Sequence, residues 1–301
     1  MKRRMHWLLI SCLAVSALLM TSCGEAEEEE EVAEEEEEVT EEEEVAEEEE
    51  EEEGAEMVTL TLTKMDGTKV TKTVEKPQYG GTIYACCTQQ TENFDPAGRG
   101  LFLDPLCQYN VYQTLVTFDW TRGPAGTGEV KYVGINSADE YWIPLLAESF
   151  EMPDNKTIVY KIRKGLHFHD KPPANGRELT VDDCVESILR CARVRGGSRI
   201  KVERGDKVYA RDEDTVVVEM VNVILAPVKS ALFDMWIYAP ETVDENDKIP
   251  WRDVCSIGPY MLQDYISAST ITLVRNPDYW QYDPLHPENK LPYADTIVSL
   301  I

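Results

Sequence analysis

The sequence predicts a mixed α/β protein that follows an export leader and an acidic spacer. The chain opens with basic residues and an apolar stretch, continues with a dense run of glutamates, and only then shows regular patterning. From about residue 57 onward, period-two and helical patterns alternate irregularly, which is typical of mixed α/β folds rather than of helix bundles or β-sandwiches. Residues 57–301 suffice for a substantial core, in one large domain or in two lobes.

Residues 1–22 have the composition of a secretory signal peptide. Met1–Arg4 is basic, and Trp7–Met20 is a nearly unbroken apolar stretch, too short and wrongly flanked for a spanning helix. Small residues then precede Cys23, a pattern that resembles a bacterial lipobox. The resemblance implies that Cys23 is lipidated and becomes the first mature residue, which would tether the protein to a membrane without spanning it. Plain secretion with an incidental cysteine is the alternative.

Residues 23–56 combine that cysteine with an acidic spacer. From Glu25 to Glu56 the chain carries 23 glutamates and no lysine or arginine, so like charges repel and almost nothing apolar can be buried. We therefore expect an extended, disordered linker. The formal net charge of the chain is −28, and without these 23 glutamates it is −5. The folded part is therefore only mildly acidic. Nucleic-acid binding is disfavoured, because the spacer repels phosphate and no dense basic patch compensates.

The first folded element is expected to be a hairpin at residues 57–76. Val58–Thr63 alternates apolar and hydroxyl side chains, residues 66–67 are an Asp-Gly turn, and Lys69–Val74 follows as the second strand. Further strands are expected at Thr82–Ala85, Lys156–Arg163, Thr215–Met220, Tyr260–Leu262, Thr270–Val274 and Ala294–Ile301.

Two helices are predicted from apolar residues at helical spacing. The first lies within Leu106–Phe118 and runs into a short extended end. The second follows Thr180, which is a suitable N-cap, with Asp182 and Asp183 in the first turn where acidic side chains favour the helix dipole. It ends near Gly196, and its expected buried face consists of Val185, Ile188, Leu189 and Ala192.

Four blocks of residues, in a fixed order, carry a family resemblance. The blocks are Tyr79-Gly80-Gly81-Thr82 with Asn93-Phe94-Asp95-Pro96; Val111-Tyr112-Gln113-Thr114-Leu115-Val116; Leu146–Phe150 with Tyr160–Asp170 and Leu179–Val185; and Ile257-Gly258-Pro259-Tyr260 with Arg275–Trp280 and Leu291–Asp295. On these blocks, the chain resembles the peptide, oligopeptide and nickel class of solute-binding proteins, the extracellular receptors of ABC importers. Four blocks in register are far more specific than one.

The resemblance implies an α/β, periplasmic-binding-protein-like two-lobe fold of the class II type, in the cluster with an extra subdomain. It places parts of the first lobe at residues 77–118 and 229–301, on either side of an accessory subdomain at residues 119–228. Within that subdomain, Trp120–Trp142 is longer than in the family and is expected to be a surface insertion. Family members are longer than this chain, so the chain is expected to be truncated before the second lobe.

By the same resemblance, the protein is a substrate-binding lipoprotein of an ABC importer. It would capture peptides or a similar small solute on the periplasmic or extracellular side of the membrane and deliver them to the permease. In relatives, the aromatic residue after the Gly-Pro pair, here Tyr260, and the loop that carries Phe102 and Leu103 lie near the ligand cleft. For all three residues an ordinary core role is the alternative. One lobe alone leaves a ligand open to water, so we expect the 301-residue chain by itself to bind solutes weakly.

An enzymatic function has less support in the sequence. His167 and His169 flank Phe168 on a predicted strand, so their side chains would share a face, and with Asp170 they could be the ligands of a metal-dependent hydrolase. The family pattern explains the second histidine as part of a strand-end turn, and no cofactor or metal is expected. The sequence contains no nucleophile elbow and no phosphate-binding loop. A structural surface lipoprotein without a ligand is the remaining alternative.

The six cysteines beyond the lipidation site do not indicate a disulfide scaffold or a zinc site. No C-x-x-C or C-x-x-H pair occurs among them. Cys86 and Cys87 are expected to be buried strand residues rather than a redox centre. Cys184 and Cys191 lie on one predicted helix, about 10 Å apart along its axis, which is too far for a disulfide.

Overall fold

Two four-stranded β-sheets and one long helix are the largest elements of the part of the protein that the structure describes. The structure is a computed structural model that describes residues 55–86, 93–97, 105–131, 139–195, 207–220 and 235–300. The chain divides into two units, and all described residues belong to the second, Gly54–Ile301. The predicted signal peptide, the lipidation site Cys23 and nearly all of the acidic spacer lie outside the described residues.

Two α-helices and fourteen strands occur in the part of the chain that the structure describes. The helices are α1 (Pro105–Val111) and α2 (Val181–Arg195). The strands are β1 (Met57–Thr63), β2 (Lys69–Glu75), β3 (Thr82–Cys86), β4 (Gln113–Thr114), β5 (Val116–Phe118), β6 (Trp142–Pro144), β7 (Ala147–Glu151), β8 (Thr157–Ile162), β9 (Lys207–Asp212), β10 (Thr215–Glu219), β11 (Trp236–Ile237), β12 (Tyr260–Ile266), β13 (Thr270–Arg275) and β14 (Thr296–Leu300).

The first sheet, here called the main sheet, has the strand order β12-β13-β14-β3. β12, β13 and β14 are antiparallel neighbours, whereas β14 and β3 run parallel, with Thr296 opposite Thr82 and Leu300 opposite Cys86. One face of this sheet is buried through residues such as Leu262, Ile271, Leu273 and Ile297. β12 extends four residues past the predicted Tyr260–Leu262, across a register shift between Leu262 and Asp264.

The second sheet, here called the accessory sheet, has the order β7-β8-β10-β9 and is antiparallel throughout. Its central strands are the predicted valine- and isoleucine-rich segments, and Ile158, Tyr160, Val216 and Val218 are almost fully buried. They pack in a second core together with Leu146, Phe168, Cys184 and Ile188. The structure therefore has two separate apolar cores, one for each sheet.

Helix α2 contributes side chains to both cores. Cys184 and Ile188 belong to the accessory core, and Cys191, two turns later, belongs to the core of the main sheet. The predicted N-cap is confirmed: Asp183 N–H donates to Thr180 Oγ1 (3.3 Å), while Asp183 Oδ2 accepts from Thr180 N–H (2.8 Å). This reciprocal pair is a capping box with aspartate in place of the usual glutamate. The helix begins at Val181 and ends at Arg195, as the sequence predicts.

The hairpin at the start of the folded part is confirmed, and it is held by polar contacts. β1 and β2 pair antiparallel, with Thr59 opposite Thr73 and Leu62 opposite Val70. The Arg122 guanidinium donates to Thr63 O (2.8 Å), Glu129 Oε1 accepts from Met65 N–H (2.9 Å), and Lys72 Nζ donates to Pro124 O (2.7 Å). The glycine-rich loop of the predicted insertion thus supports the hairpin.

Within the described ranges, no helix is long and apolar enough to cross a membrane. The described residues bear on one sequence-based expectation about the cysteines. Cys86 is exposed at the end of β3, so the expectation that it is buried is wrong. Among the described strands, β3 lies at the edge of the main sheet, and four of its five side chains are exposed. Cys87 lies outside the described residues.

Gly258 lies where the chain passes from one core to the other. Ile257 belongs to the accessory core and Tyr260 to the main-sheet core. Gly258 N–H donates to Val111 O (3.1 Å) at the end of α1, and Gly258 O accepts from Asn276 Nδ2 (3.1 Å). A β-carbon on Gly258 would lie 2.3 Å from Val111 O, so only glycine allows this approach.

We expect Gly258→Ala to lower the free energy of unfolding by about 3 kcal/mol or more, because the backbone must move to admit the β-carbon. Gly67→Ala is the matched control: φ is +85° there, but no atom lies within 4 Å of the new β-carbon. Its cost is therefore conformational strain of about 1 kcal/mol. Urea denaturation measures both changes, and equal losses in the two variants would contradict the steric argument.

Candidate functional site

The carboxyl ends of β3 and β14 form the candidate site. Because the two strands are parallel and in register, they end at the same edge of the main sheet, at Cys86 and Leu300. Ligands of open α/β sheets commonly bind outside the carboxyl ends of parallel strands. Exposed side chains on these strands are apolar or uncharged: Ile83 is 49%, Tyr84 70% and Leu300 44% exposed. Among the described residues, β3 pairs only with β14, and no described strand lies along its other edge.

The segment that follows β3 is held in a defined turn at Asn93–Ala97. Asp95 N–H donates to Asn93 Oδ1 (2.8 Å), and Ala97 N–H donates to Asp95 Oδ1 (2.9 Å). The Tyr112 hydroxyl, which is buried behind the turn, donates to Phe94 O (2.8 Å). The Asn-Phe-Asp-Pro block of the family resemblance is therefore a structural turn stabilised by its own side chains and by Tyr112.

Arg190 of α2 binds this turn through a buried ion pair. Its guanidinium donates to both carboxylate oxygens of Asp95, with Nη1–Oδ1 at 2.9 Å and Nη2–Oδ2 at 2.6 Å. The two side chains are only 1% and 2% exposed. The same guanidinium donates to Asp247 O (2.7 Å), to Asp247 Oδ1 (2.8 Å) and to Tyr238 Oη (3.3 Å). Burial alone would lower the pKa of Arg190, but these hydrogen bonds outweigh it and raise the pKa.

Tyr260 lies in the core of the main sheet. It is 5% exposed, and its hydroxyl donates to Ala294 O (3.1 Å). Burial raises the pKa of Tyr260. It pairs with Arg275, at the end of the sheet where β14 and β3 begin rather than end. These are the contacts of a core aromatic, and a contact between Tyr260 and a ligand stays a prediction. Phe102 and Leu103 lie outside the described residues.

The expectation that His167 and His169 share a face is wrong. The segment is not a regular strand: His167 is exposed, whereas His169 is fully buried. His167 Nδ1 is 2.8 Å from Gly176 O. Since Gly258 O can only accept, His169 Nε2–H donates to it (3.0 Å), and Nδ1 accepts from Ser256 N–H (3.3 Å). Both ring nitrogens of His169 are therefore occupied by backbone groups, and the neutral ring has a structural role.

Asp183, one of the two aspartates predicted in the first turn of α2, also has structural partners. Asp183 completes the cap of α2 and pairs with the Arg177 guanidinium (2.8 Å), which in turn pairs with Glu241 (2.5 Å). Arg177 also lies 4.7 Å from the Phe168 ring centroid. Across the described ranges, no three or more His, Cys, Asp or Glu side chains are arranged to hold a metal ion.

Sequence reasoning missed a buried amide that joins the second and fourth family blocks. Gln113 Nε2 donates to the Tyr279 hydroxyl, and Gln113 Oε1 accepts from Trp280 Nε1–H (3.1 Å). The Tyr279 hydroxyl donates onward to Gln281 Oε1 (2.8 Å). Burial raises the pKa of Tyr279. The polar Gln113 within an apolar block was the available signal, since a buried amide requires partners.

Comparison with known proteins gives the class of this chain. Residues 142–301 match the model of the bacterial extracellular solute-binding proteins, family 5 (middle). This match covers more than half of the chain, so the chain belongs to that family. Its membership agrees with the resemblance and with the mixed α/β architecture seen here.

Individual relatives are similar over part of their length. A probable ABC transporter-binding protein of Deinococcus radiodurans is 25% identical over 203 residues, which is 58% of this chain and 32% of that protein. Among solved structures, the oligopeptide-binding protein AppA of Bacillus subtilis, in complex with a nonapeptide, has a TM-score of 0.54 at 20% identity, with 75% of this chain and 41% of that chain covered. DppA of Helicobacter pylori, in complex with the peptide STSA, has a TM-score of 0.53 at 22% identity, with 74% and 43% covered.

These comparisons establish the periplasmic-binding-protein fold predicted from the sequence. The chain spans about a third of the length of the curated relative from Deinococcus and about two fifths of the two solved structures.

We expect the stability of the protein to fall as the pH is lowered from about 6.5 to about 4. Burial lowers the pKa of His169 to about 4, so in this window the unfolded chain binds more protons than the folded protein. The full effect of this one residue is about 3 kcal/mol. His169→Gln retains a donor for Gly258 and removes the titration, so its stability should depend less on pH.

The exposed His167→Gln is the matched control, measured by urea denaturation at both ends of this pH window. A wild-type pH dependence that survives in His169→Gln would contradict the assignment.

Proposed function

We propose that the protein carrying this chain captures a peptide, or a similar small solute, and delivers it to the permease of an ABC importer. The observation that carries the proposal is the uncharged, exposed strand β3 beside the carboxyl end of β14, with no described strand along its other edge. An extended peptide can add to such an edge through backbone hydrogen bonds, independently of its side chains. Family membership supports solute binding, and the peptides bound to the two solved relatives support this ligand class.

The proposed mechanism is closure of a cleft between two lobes. The main sheet would supply one wall, and a second lobe would cover the ligand, exclude water and complete its hydrogen bonds. In this arrangement Phe102 and Leu103, which follow β3 along the chain, are proposed contacts on the first wall. Tyr260 is proposed as a contact only on the family resemblance, since its buried ring lies at the other end of the main sheet. The proposed division is a first lobe at residues 77–118 and 229–301 with an accessory subdomain at 119–228. The permease would then bind the closed form.

The location proposed for the protein is the outer side of the cell membrane. A signal peptide at residues 1–22, lipidation at Cys23 and the acidic spacer to residue 56 would hold the binding domain away from the lipid. The support is the order of these segments in the sequence, together with the extracellular class of the family.

We expect the complete gene product to bind an extended peptide saturably, with the Ser-Thr-Ser-Ala tetrapeptide and a nonapeptide as probes in isothermal titration calorimetry. Tyr84→Ser should weaken binding about tenfold, because Tyr84 is the more exposed of the two large apolar side chains of β3. Tyr282→Ser is the matched control, since Tyr282 is also exposed but lies between β13 and β14 at the opposite end of the main sheet.

The 301-residue chain alone should bind more weakly than the complete product.

An absence of saturable binding by the complete product to either probe would contradict peptide capture. Equal weakening by the two tyrosine variants would contradict the location of the site at β3.

We expect Cys23→Ser to release the protein from the membrane fraction, because serine cannot form the thioether through which the lipid is attached. Fractionation and mass spectrometry of the mature N-terminus measure this. Cys86→Ser, at the exposed end of β3, is the control for loss of a thiol elsewhere. A Cys23→Ser variant that stays membrane-bound to the wild-type extent would contradict the lipid anchor.

A further inference from the structure

We propose that Arg190 is a positioning residue for solute binding, an inference that rests on the proposed function. It acts through Asp95, whose turn follows β3 along the chain. Phe94 of this turn packs against Tyr265, with ring centroids 4.9 Å apart, and Tyr265 lies in register with Ile271, Ser299 and Ala85 at the end of the main sheet where β3 and β14 end. Arg190 does not itself contact the solute in this proposal, because its side chain is 1% exposed and its guanidinium is already bound by Asp95 and Asp247.

The contacts of Arg190 connect three segments that are distant in the sequence. The guanidinium binds Asp95, which is 95 residues away, and Asp247, which is 57 residues away. The Tyr238 ring lies 5.5 Å from its guanidinium carbon and the Tyr238 hydroxyl accepts from Nη1. The bidentate geometry sets the orientation of the Asp95 carboxylate as well as its distance, which a single charge contact would not do.

The carboxylate of Asp95 passes this constraint to the backbone of the turn. Its Oδ1 accepts both from Arg190 and from Ala97 N–H, while Asp95 N–H is held by Asn93. A shift of the guanidinium therefore displaces the backbone of residues 93–97. Helix α2, which carries Arg190, packs in the cores of both sheets. The position of the turn therefore depends on both cores and not only on the residues next to it.

A gain in folding stability does not by itself explain why the protein has a fully buried ion pair. Desolvation of two charges offsets much of their attraction, and well-packed apolar replacements are often as stable. What an apolar pair cannot supply is the directional constraint on the turn. A binding wall needs its groups within about 0.5 Å of the productive geometry, and second-layer contacts of this kind provide it.

The experiment measures peptide affinity and melting temperature in parallel for the complete gene product, with the nonapeptide as probe. Arg190→Lys retains the charge but loses the bidentate contact, and Asp95→Asn retains the shape of the side chain. Both should raise the Kd about tenfold or more at a temperature at which each variant is fully folded. The control is Arg177→Lys, which disrupts a partly exposed arginine cluster with Asp183 and Glu241, residues that do not belong to the turn. It should lower the melting temperature and change the Kd less than about twofold.

Four outcomes decide the inference. A raised Kd in Arg190→Lys and Asp95→Asn, with an unchanged Kd in Arg177→Lys, supports positioning. An unchanged Kd in both test variants, or an equal rise in the control, overturns it while the proposed function stands. If Arg190→Lys does not fold, Asp95→Asn alone decides by the same criterion. Wild-type protein that binds no peptide contradicts the proposed function and this inference together.

Discussion

A buried guanidinium must be paired, and this constraint organises the region around α2. Arg190 is among the largest fully buried side chains, and it is satisfied only because the Asn93–Ala97 turn, Tyr238 and the loop at Asp247 converge on it. Removal of either partner of such a pair leaves an uncompensated charge in an apolar core, which is far more costly than the pair is favourable. The turn after β3, the helix and the Asp247 loop therefore depend on one another for their positions.

The second constraint is the close approach at Gly258. Its carbonyl accepts from both His169 and Asn276, and its N–H donates to Val111, so three segments meet at one peptide unit. Here the chain leaves the accessory core at Ile257 and enters the main-sheet core at Tyr260. The neutral His169 ring and the absence of a β-carbon at Gly258 are both required for this junction. These polar contacts therefore fix a single backbone geometry at the boundary between the two apolar cores.

Much of the secondary structure follows from the sequence because its determinants are short-range. The capping box of α2 needs only Thr180 and Asp183, and β8 and β10 follow from runs of β-branched residues. The prediction was wrong where burial depends on distant neighbours: Cys86 is exposed at a sheet edge, and His169 is buried although His167, two residues earlier, is exposed. β9, which carries three charged residues, was missed because pairing with β10 outweighs its weak local preference.

The family and the fold class were determined by the sequence itself, because four blocks of residues keep their order and each encodes a local turn, cap or strand. The family match and the mixed α/β architecture agree with them. Only the tertiary structure decided which polar residues meet. Asp95 and Arg190 are 95 positions apart, and Gln113 and Trp280 are 167 apart, so no local pattern relates them. Their pairing arises from the packing of α2 and the strands, which satisfies buried polar groups that the sequence alone leaves without visible partners.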